Sequence, residues 1–515
     1  MTVRSWGNYP KVDHAAVIPL AWRHQDLPKV EGTMLPSGLA RSYGDSCLNE
    51  GGTLLATRGL DRLIAFDRAS GVLRCEAGMT LGQILALVVP LGWFLPVVPG
   101  TSYVTVGGAI ANDVHGKNHH AEGTFGAHVR RFELARSDGT RIECAPDSES
   151  ALFRSTIAGL GLTGLVTWAE LQLKRIDSAM FDVETTRMDD LDHFFALSDS
   201  STEHEYSVAW VDALAKGKAL GRGLFIRARQ SSVAIHPVPQ PGARLAMPFD
   251  LPASALNRHS VALFNALYRS RVSSGWERSH EPYTKYLFPL DGIAHWNRMY
   301  GRPGFVQHQC VVPRADAPSR VRAILEAVAE AGDASFLTVL KVFGDREGAG
   351  LLSFPRPGVT LALDLPMRGQ STLELLERLD AIVRDAGGAI YPAKDAHMSP
   401  ATFRASFPRW EELERHRDPA FSSSFWRRMT GAAIRGHPRD PQACWPVDGV
   451  ADGRTGFCSA AVHAGYLGGL VGMAGQLFLA SVLVQDYRDA GHARSPQARA
   501  TCANAQCSRL VHEVQ

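Results

Sequence analysis

Short apolar runs separated by turn-forming residues dominate residues 1–175, and helical periodicity is rare there. The run at 80–91 has apolar residues at helical spacing, and Thr80 is placed to cap it. A second helix is predicted at 150–157. Strand-like runs lie at 53–57, 63–66, 72–76, 132–135 and 165–173. This pattern predicts the α+β class.

Helix and strand patterns alternate in the next region, 176–390. Helical periodicity is present at 191–197, 318–331 and 373–386. Strands are predicted at 305–313, 336–343 and 359–366. This order predicts helices layered on a sheet. The span 231–279 is rich in Pro and Arg and has no clear period, which predicts a surface insert or a lid.

The glycine spacing of GLGLTG at 159–164 matches the dinucleotide-binding fingerprint G-x-G-x-x-G. That fingerprint must follow a strand and open a helix. Here the predicted order is reversed, with a helix before it and a strand after it. We therefore predict a tight turn whose backbone contacts a cofactor.

Composition excludes several classes of protein. The chain has 515 residues, with 54 basic and 52 acidic side chains, so it has no excess of basic residues of the kind that nucleic-acid binders carry. Its length predicts two or more domains. Eight cysteines are too few for a disulfide scaffold. No apolar signal segment is visible near Met1, which predicts a cytoplasmic protein.

One stretch, residues 104–120, combines a tight apolar entry with a polar exit. It turns through Gly107 and Gly108, which let a backbone approach a bound ligand closely because they lack a Cβ. It then gathers imidazoles, an ammonium and an amide in His115, Lys117, Asn118, His119 and His120. This combination predicts a segment that contacts a cofactor. A glycine turn followed by a solvated loop is the alternative.

A second stretch, GLARSYGD at 38–45, sharpens this prediction. Together, RSYGD and GGAIANDVHGKNHH resemble the flavin domain of the vanillyl-alcohol-oxidase superfamily, also called the PCMH type. Within that superfamily the chain is similar to the oxidases of polyprenylphosphoryl ribose, over roughly residues 4 to 430. Further matching strings are PVVPGTSYVTVGG at 96–108, FVQHQCVVP at 305–313, LKVFG at 340–344, LSFPRPG at 352–358 and YPAKD at 391–395.

The resemblance implies a two-part FAD-binding domain and an α+β substrate domain built on an antiparallel sheet. Residues 1–175 form the first part of the FAD-binding domain, and 176–390 form the substrate domain. Residues 391–430 return to the FAD-binding domain. Residues 431–515 lie outside the resemblance and form an atypical extension.

Two interpretations of the extension stay open. Residues 457–485 contain no Asp, Glu, Lys or Arg, and this length is sufficient for a transmembrane helix. The glycines in this stretch lower its helix propensity, which favours a partly disordered extension instead. Cys502, Cys507 and His512 do not have a usual zinc spacing, so no metal site is predicted.

The resemblance implies FAD held without a covalent bond. Many relatives tether the flavin through a histidine in the first loop, and this chain has Arg41 in that place. The same loop usually has glycine where this chain has Ala40. The residues implied to contact FAD are Gly38, Leu39, Ala40, Arg41, Ser42, Tyr43, Gly44, Asp45, Gly100, Thr101, Thr105, Gly107, Gly108, Asn112, His115, Val166 and Tyr391.

By resemblance, the catalytic residues are Lys394, His115 and Tyr43, and the substrate-binding residues are Gln307, Gln309, Lys341 and Lys117. The sequence leaves the base open. His115 has a suitable ordinary pKa, whereas the pKa of Lys394 would have to be lowered. Gln307 and Gln309 alternate on a strand and so share one face, which could also face solvent. Ala362 stands where a close relative carries cysteine, so a thiol-dependent property is not expected.

The resemblance implies oxidation of the 2-hydroxyl of a polyprenylphosphoryl-β-D-ribose to the 2-keto sugar. A partner NAD(P)H-dependent keto-reductase would then complete an epimerisation to the arabinose form. The lipid substrate would bring this cytoplasmic protein to the inner face of the membrane. One alternative is an alditol or aldonolactone oxidase of the same superfamily. Another is a non-catalytic flavin or lipid-carrier binding protein.

Overall fold

The computed structural model describes residues 3–233, 243, 245–333 and 336–431, and these confirm the α+β class. The strands are β1 (Ala16–Pro19), β2 (Met34–Ser37), β3 (Thr53–Ala56), β4 (Leu63–Asp67), β5 (Val72–Glu76), β6 (Trp93–Phe94), β7 (Val129–Ala135), β8 (Arg141–Cys144), β9 (Leu165–Gln172), β10 (Lys174–Arg175), β11 (Met180–Met188), β12 (Tyr206–Val211), β13 (Gly223–Gln230), β14 (Leu245–Ala246), β15 (Glu277–Pro282), β16 (Ile293–Ala294), β17 (Phe305–Val312), β18 (Thr338–Phe343), β19 (Gly358–Pro366) and β20 (Ala389–Ile390). The α-helices are α1 (Leu81–Val88), α2 (Val106–Ala111), α3 (His119–Glu122), α4 (Ser150–Thr156), α5 (Leu191–Asp199), α6 (Arg258–Ser270), α7 (Tyr283–Leu287), α8 (Ala317–Ala331), α9 (Gln370–Asp385), α10 (Pro400–Ser406), α11 (Trp410–His416) and α12 (Ser424–Thr430).

Two sheets are built from the first part of the chain. The smaller is parallel, in the order β1-β3-β2, and the larger is antiparallel, in the order β4-β5-β9-β7-β8. Helix α1 packs beside the larger sheet. Its residues Leu81, Ile84 and Leu85 are fully buried in one apolar cluster with Leu73 and Phe132 of that sheet. The helical spacing of the sequence therefore marks the buried face of α1 correctly.

The capping prediction at Thr80 is confirmed. The Thr80 hydroxyl accepts a hydrogen bond from Gln83 N at 3.1 Å, and the Gln83 side chain accepts one from Thr80 N at 2.8 Å. This reciprocal pair satisfies two amides that the first turn of a helix leaves unpaired. Helix α8 ends, as expected, at Gly332, which adopts a φ of +72°.

An antiparallel sheet of eight strands forms the second region, in the order β15-β11-β13-β12-β18-β19-β17-β20. Helices α8 and α9 pack against each other and against β17. On β17, Gln307 and Gln309 point to one face, whereas His308 points to the other and contacts Asp380 of α9 at 3.1 Å. The alternation of the strand therefore separates a polar cavity face from a helix-covered face.

The chain returns to the parallel sheet after residue 391. Met34 N donates to Ala420 O at 2.8 Å, and Ser422 N donates to Met34 O at 3.0 Å. Arg428 of α12 pairs with Asp45 at 2.8 Å. These contacts support the proposed segment 391–430. The division into four parts stays a prediction, and the extension beyond Gly431 lies outside the described residues.

Two local features differ from the sequence-based predictions, and a third confirms them. Residues 231–279 were predicted to be irregular, yet they contain α6, whose capping residue Asn257 accepts hydrogen bonds from two backbone amides. The Gly107–Gly108 pair was predicted to be a turn, but it forms the first turn of α2, capped by Thr105. The predicted turn at 159–164 is confirmed, because α4 precedes it, β9 follows it and Gly161 adopts a φ of +75°.

Within the part of the chain that the structure describes, no helix is both long and apolar enough to cross a membrane. The candidate span at 457–485 lies outside that part.

Ala40 is held in a conformation that favours glycine. Its φ is +48°, in the left-handed region, where the Cβ of an L-residue approaches the following carbonyl oxygen too closely. The family's usual glycine at this place would adopt the same conformation without that strain. The loop 38–42 therefore has the backbone conformation that a glycine would favour, although it has alanine at position 40.

Replacing Ala40 by glycine should leave the thermal stability unchanged or raise it. Relief of the strain, about 1 kcal/mol, offsets the greater entropy of glycine in the unfolded chain. As a control, Ala381→Gly in the interior of α9 should destabilise the protein by about 1 kcal/mol. The measurement is the melting temperature of the two variants by differential scanning calorimetry. If Ala40→Gly lowers the melting temperature as much as Ala381→Gly does, the backbone at Ala40 is not strained.

Candidate active site

A cavity of about 620 Å³ lies where the loops of the first two sheets meet the eight-stranded sheet. This volume is in the range of small-molecule and cofactor sites. It brings together nearly all of the residues predicted from the sequence. Those that line it are Gly38, Leu39, Ala40, Arg41, Ser42, Tyr43, Gly100, Thr101, Thr105, Gly107, Gly108, Asn112, His115, Lys117, Val166, Gln307, Gln309, Lys341, Tyr391 and Lys394.

Two predicted cofactor residues do not line the cavity. Asp45 is 1% exposed and forms a bidentate ion pair with Arg428. Gly44 packs against the chain at Asp395, where an added Cβ would lie 1.8 Å from the carbonyl oxygen. These residues hold the loop 38–42 against the returning segment, and their direct contact with FAD stays a prediction.

The loop that follows β2 presents unpaired backbone amides to the cavity. Among the described residues, no group accepts a hydrogen bond from the backbone N–H groups of residues 38–42. Gly38 is needed for the close packing of this loop, because an added Cβ would lie 2.5 Å from Thr105 Oγ1. A run of unpaired amides that includes a left-handed residue forms an anion-binding nest. Such a nest suits the pyrophosphate of FAD.

A second loop, at Gly100–Thr101, is fixed by a buried carboxylate that the sequence did not single out. Asp291 accepts hydrogen bonds from Ser102 N at 2.7 Å, from Ser102 Oγ at 2.7 Å and from Thr101 Oγ1 at 2.5 Å. Burial raises the pKa of Asp291, and these hydrogen bonds oppose that rise. These hydrogen bonds hold the loop at the cavity wall. Gly100 has no side chain there that would obstruct a ligand.

Arg41 lies flat against aromatic rings at the cavity wall. Its guanidinium carbon is 3.9 Å from the ring centroid of Trp6 and 5.3 Å from that of Tyr103. Burial lowers the pKa of Arg41. A guanidinium in this place is not a nucleophile that could carry a flavin, which fits the predicted absence of a covalent bond.

A buried imidazole joins two of the predicted substrate residues. His115 Nε2 lies 3.1 Å from the Gln309 side-chain nitrogen, and His115 Nδ1 lies 3.0 Å from Lys341 Nζ. Burial lowers the pKa of His115 well below its ordinary value and that of Lys341 to about 7. A neutral ring that accepts from Gln309 and donates to a neutral Lys341 amine satisfies both contacts. Both ring nitrogens are then occupied.

Lys394 faces the cavity from the returning segment. Its Nζ lies 3.6 Å from the ring centroid of Tyr43, and no described residue forms a hydrogen bond with it. Burial lowers the pKa of Lys394, and the nearby carboxylate of Asp364 opposes that change. Lys394 therefore has an amine lone pair, or ammonium protons, available to a ligand.

Asp364 is a buried carboxylate beside the predicted site residues that the sequence patterns did not single out. It is 1% exposed on β19 and accepts a hydrogen bond from the Gln307 amide and one from Tyr300 OH at 3.3 Å. Burial raises its pKa. A signal was present in the sequence, since Asp364 is the one charged residue in the apolar strand GVTLALDLP. Ala362 lines the cavity on the same strand.

The remaining predicted polar residues complete the wall. Lys117 Nζ donates to Tyr286 O and lies 4.4 Å from the ring centroid of Tyr286, and burial lowers its pKa to about 8. Tyr391 OH donates to Asn112 O at 2.9 Å, which ties the returning segment to α2. Burial raises the pKa of Tyr43 well above its ordinary value, so its hydroxyl stays protonated at neutral pH.

One part of the cavity wall is apolar, and this part is called the apolar end. Sequence patterns gave no indication of this end, because its residues come from four separate segments. They are Trp210, Phe264, Tyr268, Leu290, Trp296 and Phe336. One cavity thus joins an anion nest, a group of buried amines and amides, and an apolar compartment.

Comparison with known proteins agrees with this arrangement. Residues 15–145 match the family model described as FAD binding domain. The chain is 35% identical over 414 residues to the decaprenylphosphoryl-β-D-ribose oxidase of Mycolicibacterium smegmatis, covering 77% of this chain and 89% of that protein. It is 35% identical to an uncharacterized protein in the mprA 5′ region of Streptomyces coelicolor, covering 68% of this chain and 100% of that protein.

A more distant similarity is confined to one part of the chain. The human Delta(24)-sterol reductase is 32% identical over 111 residues, which are 22% of each chain. The chain belongs to the decaprenylphosphoryl-β-D-ribose oxidase family of FAD-dependent oxidoreductases.

Proposed function

We propose that this protein oxidises the 2-hydroxyl of a polyprenylphosphoryl-β-D-ribose to the 2-keto sugar. The observation that carries the proposal is one cavity, which joins an apolar end to loop amides and a lysine amine that have no hydrogen-bond partner among the residues the structure describes. The relative from Mycolicibacterium smegmatis is named for a decaprenylphosphoryl-β-D-ribose substrate. The buried amines and amides suit the sugar of that substrate class, and the apolar end suits its polyprenyl chain.

The loops 38–42 and 100–101 would hold FAD through backbone amides, without a covalent bond at Arg41. The chemistry that FAD supplies is acceptance of the hydride that leaves the sugar carbon. The protein's own contribution is to position the sugar, to accept the hydroxyl proton and to exclude water.

Lys394 is the proposed proton acceptor. A base must be neutral and within reach of the hydroxyl, and burial favours the neutral amine of Lys394. His115 is less suited, because Gln309 and Lys341 occupy both of its ring nitrogens. Gln307 and Gln309 share the cavity face of β17 and would fix the sugar hydroxyls.

The apolar end would take the first units of the polyprenyl chain. Aromatic and aliphatic side chains there offer surface that a free sugar would leave exposed to water. An alditol or aldonolactone would use only the polar part of the cavity. A non-catalytic binding protein would have no need of an amine held neutral by burial.

The product class implies a further partner. A 2-keto sugar becomes the arabinose form when hydride returns to the opposite face, and we propose an NAD(P)H-dependent keto-reductase for that step. We also propose that the protein acts as a cytoplasmic enzyme, peripheral to the inner face of the membrane where a polyprenylphosphoryl lipid would be found.

The substrate class can be tested by anaerobic bleaching of the bound flavin. A soluble short-chain polyprenylphosphoryl ribose should bleach it in a single turnover, whereas alditols and aldonolactones should not. The matched control is the 2-deoxyribose analogue, which binds in the same way but lacks the 2-hydroxyl that the enzyme would oxidise. Equal bleaching by alditols would move the function to the second oxidase class. Absence of bleaching by every sugar would favour a non-catalytic protein.

Replacing Lys394 by alanine should slow flavin bleaching by about 10²-fold or more, a magnitude typical of losing a positioned acid–base group. FAD content should stay close to that of the wild type, because the loop amides hold the cofactor. Lys394→Arg should not restore the rate, since a guanidinium is not readily deprotonated. The exposed Lys216→Ala variant is the control, and stopped-flow absorbance is the measurement. Near-normal bleaching by Lys394→Ala would transfer the role to His115.

A further inference from the structure

Helix α6 carries an apolar stripe on its exposed side. Leu263 and Leu267 are 39% and 37% exposed and lie one turn apart. Ala262 and Ala266, beside them, are also exposed. No charged residue interrupts this stripe. These two leucines therefore present apolar surface to the solvent.

The adjacent face of the same helix lines the cavity. Phe264 and Tyr268, each one residue beyond an exposed leucine, are cavity residues. Phe264 also packs in an apolar cluster with Trp296 and Tyr43. The exposed stripe is therefore separated from the apolar end of the cavity by about the width of one helix, roughly 10–12 Å.

A third exposed apolar side chain lies in a segment that contributes other residues to that apolar cluster. Phe249 is 59% exposed and lies between Met247 and Leu251, whose side chains are buried in that cluster. An exposed phenylalanine is costly in water, because it offers a large apolar area to the solvent.

Helix α6 and the residues that flank it are mainly basic. Residues 251–276 contain three arginines and no acidic residue, and the exposed acidic residue Asp250 lies next to Phe249. Arg258 lies exposed in the first turn of α6, and Arg271 donates to Tyr268 OH at 2.7 Å. Arg269 pairs with Asp189 at 2.8 Å. An amphipathic helix with apolar residues flanked by arginines is typical of a surface that binds anionic lipids.

We propose that α6 and Phe249 dock on an anionic bilayer surface. Leu263, Leu267 and Phe249 would enter the interface, and Arg258 would contact lipid headgroups. Docking would bring the apolar end of the cavity within a helix width of the membrane that supplies the lipid substrate. The benefit of docking rests on the proposed function, whereas the docking itself is independent of it.

A bilayer fits this surface better than a second copy of the chain. Stable protein interfaces bury about 1,200 Å² or more, and a few side chains are too small an area for that. Two copies facing each other through this patch would also bring like charges together. An anionic bilayer complements the arginines and accepts isolated apolar side chains.

Vesicle co-sedimentation of the full-length protein tests the proposal. The protein should bind vesicles of equal phosphatidylglycerol and phosphatidylcholine more tightly than vesicles of phosphatidylcholine alone, and salt should weaken that binding. The double variant Leu263→Ser with Leu267→Ser should reduce the partition coefficient about tenfold or more. The matched control is Leu63→Ser with Leu87→Ser, whose leucines are 42% and 36% exposed on other elements. The control should change the partition coefficient less than twofold.

Flavin bleaching by a soluble short-chain substrate separates this proposal from the proposed function. Both double variants should bleach at the wild-type rate, because neither pair of leucines lines the cavity. Equal vesicle binding by the α6 variant and the wild type would overturn the proposal. A wild type that binds anionic vesicles no more tightly than phosphatidylcholine vesicles would also overturn it. A wild-type dimer in sedimentation that the α6 variant converts to a monomer would assign the patch to a second copy and would also overturn it.

Discussion

Removal of charged groups from water is the constraint on which this site depends. Lys117, Lys341 and Lys394 face one cavity, and burial lowers the pKa of Lys117 to about 8 and that of Lys341 and of Lys394 to about 7. A charged group in a poorly solvated place must be paired or must lose its charge. The cavity therefore makes the neutral amine more accessible at Lys341 and Lys394 than in water, and the carboxylate of Asp364 opposes this effect at Lys394.

The fold supplies these groups from separate elements. Strands β17, β18 and β19 provide Gln307, Gln309, Lys341 and Asp364 from neighbouring positions of one sheet. The loop after β2 provides the unpaired amides, and the returning segment provides Lys394. Tyr43 N donates to Ala393 O at 2.9 Å, so that loop and that segment are directly bonded. Cofactor and substrate groups are thus held in one rigid frame.

Sequence patterns predicted much of this arrangement for physical reasons. The two-residue period of β17 placed Gln307 and Gln309 on one face, and the glycine-rich stretches marked the loops of the cavity. Patterns could not show Asp364 as a partner of Gln307, because that contact depends on the register of β17 against β19. They also could not show the ion pair of Asp45 with Arg428, because it joins residues far apart in the chain. Sequence patterns could not predict the apolar end of the cavity, because its residues come from segments that are far apart in the chain.

The pH dependence of flavin bleaching in wild type and Asp364→Asn tests the central claim most directly. If Lys394 accepts the proton as a neutral amine, the rate must rise with pH through the pKa of Lys394. The Asp364 carboxylate raises that pKa against the effect of burial, so Asp364→Asn should move the rising limb to lower pH. Asparagine keeps the shape of the side chain, and the exposed Asp67→Asn is the control. A rising limb that stays in place, or moves to higher pH, would contradict the account.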